Sequence, residues 1–551
     1  MKTGAVPWIC KAVSKGVSHK DIDREVCYRL RRKVRLMRIT NKVMQNNALR
    51  NINRNKELQD VLNTELATGK KVNKPSDDPV VAIRALRLRS DVTQISQYSK
   101  KNVPDAMSWL ELTESSIKTT VSVVKDMIEQ CEKGSNDTLT TEDRQIIIDA
   151  LKELRNEVYA TGDADYAGRY IFTGYRTDIS LTYTAEEAAK SINYEITELF
   201  DADDLEQITY IDNGGILDLS EANYSDASGN AIVKEQDIDD YSYYRFRMSY
   251  DNLADVASGA SITVGSNTYN IQTATDPETV YKSISGEPDS IYYIASTGEL
   301  VMGENVYNDI KNSDDEYSIT YNKDKWVQGD LKPQHYFYCV QEKDEFGQPI
   351  VDDDGNPAPI EYNPEYLTTR SVGQNIEYQV GFNQNIQVNT YAEEIYQHDI
   401  GRDVDEIIDL ANSLRDVELM RDKLDSMSKD SMNYSDAERE QIKIDFESAE
   451  KAASLLKDQL QKRFSKYITH MQGYLDGTND ALTLVGSRSA RLELISNRLD
   501  DQTTTFKTLQ SDNEDADATE VAVQLSSAKI SYQAALMATS DMIQETLLNY
   551  L

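Results

Sequence analysis

Histidine is nearly missing from this chain, with four in 551 residues. Little material is therefore left for acid–base catalysis or metal ligation. Four cysteines over this length make no disulfide framework. No run approaches the ~20 consecutive apolar residues that a membrane helix needs, so no membrane span is expected. Basic residues are the scarcer sign: 59 Lys/Arg stand against 94 Asp/Glu, a net charge of −35. Such a surface repels phosphate backbones and anionic lipid, which argues against a nucleic-acid reader or a membrane-surface binder. What is present, 39% hydrophobic and 28% charged residues, suffices for packed cores. The length suggests about three or four domains.

The first 36 residues belong to a different regime. They carry ten Lys/Arg and three Asp/Glu, which leaves −42 for the other 515 residues. No apolar stretch of signal-peptide length occurs there. The reading is a basic extension, residues 1–36, outside the mature protein, with the real start at Met37.

Helical pattern dominates from Met37 to about Thr161. The block Asn73-Lys74-Pro75-Ser76-Asp77-Asp78-Pro79 interrupts it, with Asp78 placed as N-cap and Pro79 at the first helical position. Met107, Leu110, Glu114, Ile117, Val121, Val124, Ile128 and Cys131 then alternate steps of three and four, a coiled-coil-like stripe. Thr140 and Asp143 resemble a capping box, followed by Ile147, Leu151, Leu154 and Val158 on one face. From Asp399 the helices return. Ser435 and Glu438 form a second capping box ahead of the stripe Phe446, Ala449, Ala453, Leu456, Leu460, Phe464, Tyr467, Met471 and Tyr474. Gly473 and Gly477 are read as ending that helix. Val485 to Leu509 marks a further helix, and an acidic link, Asn513–Glu520, precedes the last one.

The middle is different. Of 33 tyrosines, 22 lie between Ser180 and Ile400. Period-two alternation marks Tyr244–Met248 and parts of Ser261–Ile271, Ser290–Ala295 and Tyr317–Tyr321 as strands. Glu345–Pro364, rich in Asp, Gly and Pro, reads as an exposed loop. No internal repeat is evident. The expected fold is mainly α with a β-rich insert: an elongated rod of packed, coiled-coil-like terminal helices carrying a central β region at its far end. The expected divisions are 1–36, 37–178, 179–398 and 399–551. An insert at the tip of a rod is expected to be removable.

The search for chemistry yields no catalytic, cofactor-binding or metal constellation. His19, His335, His398 and His470 are scattered and read as solvated polar residues. Cys131 completes a helix stripe, and Cys339 sits in an apolar β run. Gly69-Lys70 resembles the end of a phosphate loop, but Thr64 stands where glycine is needed. Asp352, Asp354 and Asn356 have calcium-loop spacing, but Pro357 and Asn363 break the pattern.

The ends carry the signal. Met37-Arg38-Ile39-Thr40-Asn41, the block Thr68–Pro79, Gly168-Arg169-Tyr170-Ile171-Phe172-Thr173-Gly174, Ile386-Gln387-Val388-Asn389, and Ser531–Leu536 with Leu547-Leu548-Asn549-Tyr550-Leu551 together resemble the flagellin family, and within it the junction branch. The acidic run Glu514–Asp517 fits the same pattern. The resemblance covers roughly residues 37–178 and 385–551; residues 180–385 carry no match.

That resemblance implies a non-enzymatic structural component of the bacterial flagellum that joins hook to filament. It implies export without a cleaved signal and a place outside the cell. The implied partners are copies of itself in a tubular layer, a neighbouring junction protein, flagellin and a cytoplasmic export chaperone. Neither nucleic acid nor membrane is an implied partner. Assembly falls to Ile39, Val43, Leu49, Ile52, Leu62 and Leu66 at one end and Val521, Leu525, Ala528, Tyr532, Ala535, Met542, Leu547 and Leu551 at the other. Asn73, Pro75, Asp77, Asp78 and Pro79 form the expected joint. The alternatives are a filament flagellin with an unusual insert and an enzymatic insert on a flagellin-like rod.

Overall fold

A computed structural model describes residues 41–544, apart from 137–138, 227, 255, 257–259 and 353–354. The basic extension 1–36 lies outside the described residues, as do Ile39, Leu547 and Leu551. In chain order the elements are helices α1 (Asn41–Thr68) and α2 (Pro79–Gln97), a π turn over Tyr98–Asn102, α3 (Val103–Gly134) and α4 (Thr141–Gly162). Then come β1 (Asp165–Tyr166), β2 (Arg169–Tyr170), β3 (Tyr194–Phe200), β4 (Glu206–Asp212), β5 (Asp239–Arg247), β6 (Ser261–Val264) and β7 (Asn267–Ala274). They are followed by α5 (Pro277–Ser283), β8 (Ile291–Ile294), β9 (Glu299–Met302), α6 (Glu304–Lys311), β10 (Tyr317–Lys323), β11 (Tyr338–Gln341) and β12 (Ile360–Tyr362). The chain closes with β13 (Glu377–Gly381), β14 (Gln384–Gln387), α7 (His398–Lys429), α8 (Asp436–Glu514) and α9 (Ala518–Gln544). The fold is mainly α, with long helices at both ends and a β-rich middle. Two compact units partition the chain at Thr93/Gln94 and at Thr503/Thr504.

In the larger unit, α3, α4, α7 and α8 share one core. Leu110, Ile117, Val124, Leu151, Val404, Leu414, Phe464 and Tyr467 are buried in it. Both capping boxes form: Thr140 with Asp143, and Ser435 with Glu438. Gly134 closes α3 where a Cβ would stand 2.5 Å from the Phe464 ring, so the tight approach needs glycine. Gly473 and Gly477 do not end a helix; α8 runs 79 residues through both. An interior glycine costs only about 1 kcal/mol. The buried stripe continues on both sides, through Met471, Val485 and Leu492, and outweighs that cost.

Among the described residues, β10-β3-β11-β12 form one antiparallel sheet and β4-β5-β9-β8-β7-β6 another. In the second sheet only β7 and β8 are parallel, joined through α5. Phe246, Tyr293, Leu300, Ile196, Ile319 and Tyr321 fill the core shared by the two sheets. Ile208, Tyr243 and Val301 pack with Val280 and Tyr281 of α5. Period two in β5 sets this division: Phe246 faces one core and Tyr243 the other.

The expected exposed loop has a repeated structure. In Lys343–Ile350 and again in Val351–Ala358, an aspartate amide donates to a carbonyl four residues on, and a left-handed glycine amide donates back to the aspartate carbonyl. These are successive Asp-x-x-Gly-Gln/Asn-Pro turns with Gly347 and Gly355 at φ +75° and +83°. An eight-residue period is too short to show as a fold repeat, which is why the sequence reading passes over it.

The insert is not confined to a tip. The connection from β4 to β5 leaves the sheet and lies along the helices, where Ile216, Leu219, Val233 and Ile238 join the helical core. A buried ion cluster fixes the sheet to the same helices. Arg245, 3% exposed, pairs with Glu206 on β4, Glu299 on β9 and Glu406 on α7. Arg247 pairs with Asp399, Asp403 and Glu406, while Arg463 and Lys466 of α8 reach Glu406 and Glu206. Deleting the insert therefore removes part of the helical core, contrary to the expectation that it is removable.

Burial alone would raise Glu206, but Arg245, Arg247 and Lys466 outweigh it and hold the carboxyl down to about 2. A depressed carboxylate stabilises the fold above its unfolded pKa, and that stability is lost as pH falls toward the folded value. Acidification from pH 5 to pH 2 should therefore cost about 3 kcal/mol at this residue. Urea unfolding at stepped pH, with Glu206→Gln as the variant that flattens this part of the profile, checks it.

Residues 179–398 contain 41 Asp/Glu and 11 Lys/Arg. Four of those cations, Arg245, Arg247, Lys323 and Lys332, have buried side chains. Lys190, Lys282 and Arg370 are ion-paired.

Candidate assembly interface

The smaller unit holds both expected assembly helices. Residues at α-helical spacing on α1 (Ala48, Ile52, Asn55, Gln59, Leu62 and Glu65) are its less exposed face. The less exposed face of α9 is Val521, Leu525, Ala528, Tyr532, Ala535 and Thr539, again in steps of three and four. The two helices pack antiparallel: Leu62 clusters with Val521, Leu525 and Ala528, and Gln59 Nε2 donates to Ala528 O at 3.0 Å. Asparagines 46, 47, 51, 53 and 55 weaken α1 as an isolated helix, so packing against α9 carries much of its stability.

The expected residues thus separate. Ile52 and Leu62 lie on the face of α1 turned to α9, whereas Val43, Leu49 and Leu66 are exposed. On α9 the expected stripe through Val521, Leu525, Ala528, Tyr532 and Ala535 is occupied by α1. Met542 lies in the described helix, though its side chain falls outside the described residues. The sequence reading misses a second α9 stripe, Val523, Ile530 and Met537, seven residues apart and exposed. On α2, Val80, Ile83 and Leu86 are 60%, 64% and 62% exposed. A steady heptad step was the available signal for the α9 stripe, masked by the stronger stripe beside it.

The joint is built on backbone and charge. Gly69, at φ +67°, ends α1 with its amide on Glu65 O at 2.8 Å. The Lys71 amide donates to Glu514 O at 2.7 Å, and the Ala516 amide to Gly69 O at 2.9 Å. The two chain segments are thereby stitched together. Arg89 forks onto Glu514 at 2.8 and 2.6 Å, Lys70 pairs with Asp515, and Lys71 Nζ donates to Asp512 O. Asp77 Oδ2 accepts the Lys74 amide, and Asp78 Oδ1 accepts the amides of Val80 and Val81 at 2.9 and 3.1 Å. Pro75 and Pro79 each fix φ in this turn, and Asn73 lies exposed within it. The hydrogen bond from Arg89 lowers Glu514, and the one from Lys70 lowers Asp515. Pairing of basic Lys70–Lys74 with acidic Asp512–Asp517 was legible as charge complementarity, but nothing local says that the two runs meet.

Replacing Glu514 by Ala removes the partner of Arg89 and a near neighbour of Lys70. Trypsin should then cleave after Lys70 and Lys71 several times faster than in the parent. Mass spectrometry of early peptides reads this, and unchanged cleavage would show that the pairing does not hold the turn.

The remaining candidate chemistry resolves into structure. His335 and His398 are not solvated: burial pushes both imidazoles down to about 3. His398 sits against Tyr250, Tyr336 and Phe337. His470 meets Asp403 at 3.1 Å, and His19 lies outside the described residues. Burial raises the Cys131 thiol to about 12 and raises Cys339 as well. Among the described residues no group of three or more His, Cys, Asp or Glu is placed to hold a metal ion, and no helix is long and apolar enough to cross a membrane.

Comparison with known proteins accounts for the two ends. Residues 39–177 match the bacterial flagellin N-terminal helical region, and residues 468–551 the C-terminal helical region. Flagellar hook-associated protein 3 of Salmonella typhimurium is 30% identical over 143 residues, 26% of this chain and 45% of that protein. A flagellin of Clostridium tyrobutyricum is 31% identical over 122 residues, 22% of this chain and 32% of that protein. The match thus spans less than half the length of either curated relative. A crystal structure of flagellar hook-associated protein 3 from Legionella pneumophila aligns over 77% of this chain and 97% of that one, at 11% identity and a TM-score of 0.29. The chain thus carries both helical regions of bacterial flagellin, in order, on either side of the central insert.

Proposed function

We propose that this protein is a non-enzymatic structural subunit of the bacterial flagellum that joins hook to filament, working outside the cell after export. The observation that carries this reading is the paired α1–α9 unit. It satisfies one apolar stripe internally and leaves Val523, Ile530 and Met537, with Val80, Ile83 and Leu86, facing outward. Repeated, such faces suit copies of the same chain packed in a tubular layer, with a further junction protein on one side and flagellin on the other. A cytoplasmic chaperone that shields these faces before export completes the partner set. On this reading residues 37–178 and 399–551 form the assembling part, and 179–398 the variable insert. Immunogold labelling confined to the hook–filament boundary is the expected result. Label along the whole filament would instead make the chain a filament flagellin, the second reading, which the similarity to the Clostridium tyrobutyricum protein favours.

In this role the turn Asn73–Pro79 is a fixed joint. Pro79 disfavours helical backbone at Asp78, whose carboxylate caps α2 through the Val80 and Val81 amides, worth about 0.5–2 kcal/mol. Asp78→Ala with Pro79→Ala should give a protein that is exported but retains few filaments. Electron-microscope counts after shear measure this, and wild-type retention would make the joint dispensable.

A further inference from the structure

The connection between β4 and β5 ends in a segment that one helix holds almost entirely by its backbone. The Ala231 amide donates to Gln441 Oε1 and the Val233 amide to Asp445 Oδ1, both at 2.9 Å. Ser448 Oγ donates to Val233 O at 3.2 Å, and Lys451 Nζ donates to the carbonyls of Glu235 and Ile238 at 2.6 and 2.8 Å. Gln441, Asp445, Ser448 and Lys451 advance along α8 in steps of four, three and three, so a single face of the helix reads the main chain of this segment, including the 3₁₀ turn over Glu235–Asp237. Val233 and Ile238 are buried in the core that also holds Ile442, Ala449 and Ala452.

Asp445 is the unusual member. Its residue is fully buried, and what acts on it is burial, opposed by the amides of Val233 and Ile232. No charged side chain offsets it. The ionisable neighbours are otherwise engaged or point elsewhere. On α8, Lys451 is spent on carbonyls and Glu438 on Tyr224. On α7, Glu418 pairs with Arg144 and Lys423 approaches Glu221. On the segment itself Asp237 accepts the Lys234 amide, and Lys234 and Glu235 are exposed.

We propose that Asn230–Ile238 is a strap that docks on and leaves α8 as a unit, with the buried carboxylate of Asp445 making the docked state acid-favoured. Docking removes the carboxylate from water without supplying a cation, so the docked form holds the proton more tightly than the released one. Burial pushes Asp445 up to about 6 from an ordinary carboxylate value. The sign follows: a raised carboxyl favours docking below its docked pKa, and rising pH releases the strap. Release uncovers the apolar positions of α8 beneath Val233 and Ile238.

The test is hydrogen exchange on the full chain, corrected for intrinsic rates, at pH 5 and pH 8. The amides of Ala231 and Val233 should lose about tenfold in protection at pH 8, by linkage between docked and free carboxyl values. The amides of Leu110 and Val124 in α3 should not follow. Asp445→Asn keeps the acceptor for Val233 and should leave strap protection the same at both pH values. Equal protection in the parent would overturn the proposal. So would an unchanged pH dependence in Asp445→Asn, or loss of strap and α3 protection in step.

Discussion

Replacing Arg245 by Ala should lower the unfolding free energy by about 3–5 kcal/mol, the cost of breaking a buried ion pair from one side. The residue sits among Glu206, Glu299 and Glu406, whose side chains are themselves largely buried. Without the guanidinium, three carboxylates share a water-poor site, compensated by the cations Arg247, Arg463 and Lys466 and by the hydroxyls of Tyr281, Thr297 and Tyr467. Arg245→Lys keeps the charge but loses the fork, and should fall between the two. Urea unfolding followed by far-ultraviolet circular dichroism measures the series. Because Arg245 lies on β5 and Glu406 on α7, helix and sheet signals should move together. A loss below about 1 kcal/mol, the range of exposed pairs, would show that water reaches the cluster.

The second large effect is on assembly. Deleting Val521–Leu551 removes three of the four buried members of the small cluster around Leu62. It leaves α1, already rich in asparagine, without the helix that covers it. The truncated protein should not polymerise and cells relying on it should not swim, while the unit formed by residues 94–503 keeps its fold. Sedimentation of purified protein under assembly conditions and a swarm-plate assay read the first two, and proteolytic resistance of the larger unit reads the third. Normal filaments from the truncated chain would remove these helices from the assembly reading.

Local features of this fold were legible in the sequence. The capping boxes at Thr140 and Ser435 and the stripe from Met107 to Cys131 depend on residues within one or two turns of each other. Strand faces in β5 followed from alternation alone. What stayed hidden is non-local or cumulative. Arg245 and Glu406 are 161 residues apart, and Arg89 and Glu514 are 425 apart, so no window holds both partners. The continuation of α8 through Gly473 and Gly477 depends on packing summed over many turns. On α9 the stronger row, the one that meets α1, masked the exposed row Val523, Ile530 and Met537 beside it.

The inward turning of the insert's cations has an osmotic consequence. With Arg245, Arg247, Lys323 and Lys332 enclosed, seven cations remain to face the carboxylates on the outside of residues 179–398, a large excess of negative charge. Free in solution, such a chain sheds its counterion cloud over a Debye length of about 8 Å at physiological salt. Copies held side by side at fixed spacing cannot move apart to do so. Their mobile cations stay trapped between them, and the trapped ions draw in water. A ring of these inserts would behave as a swollen polyelectrolyte collar, wide at low salt and tighter as salt rises, with no change in any contact within the chain.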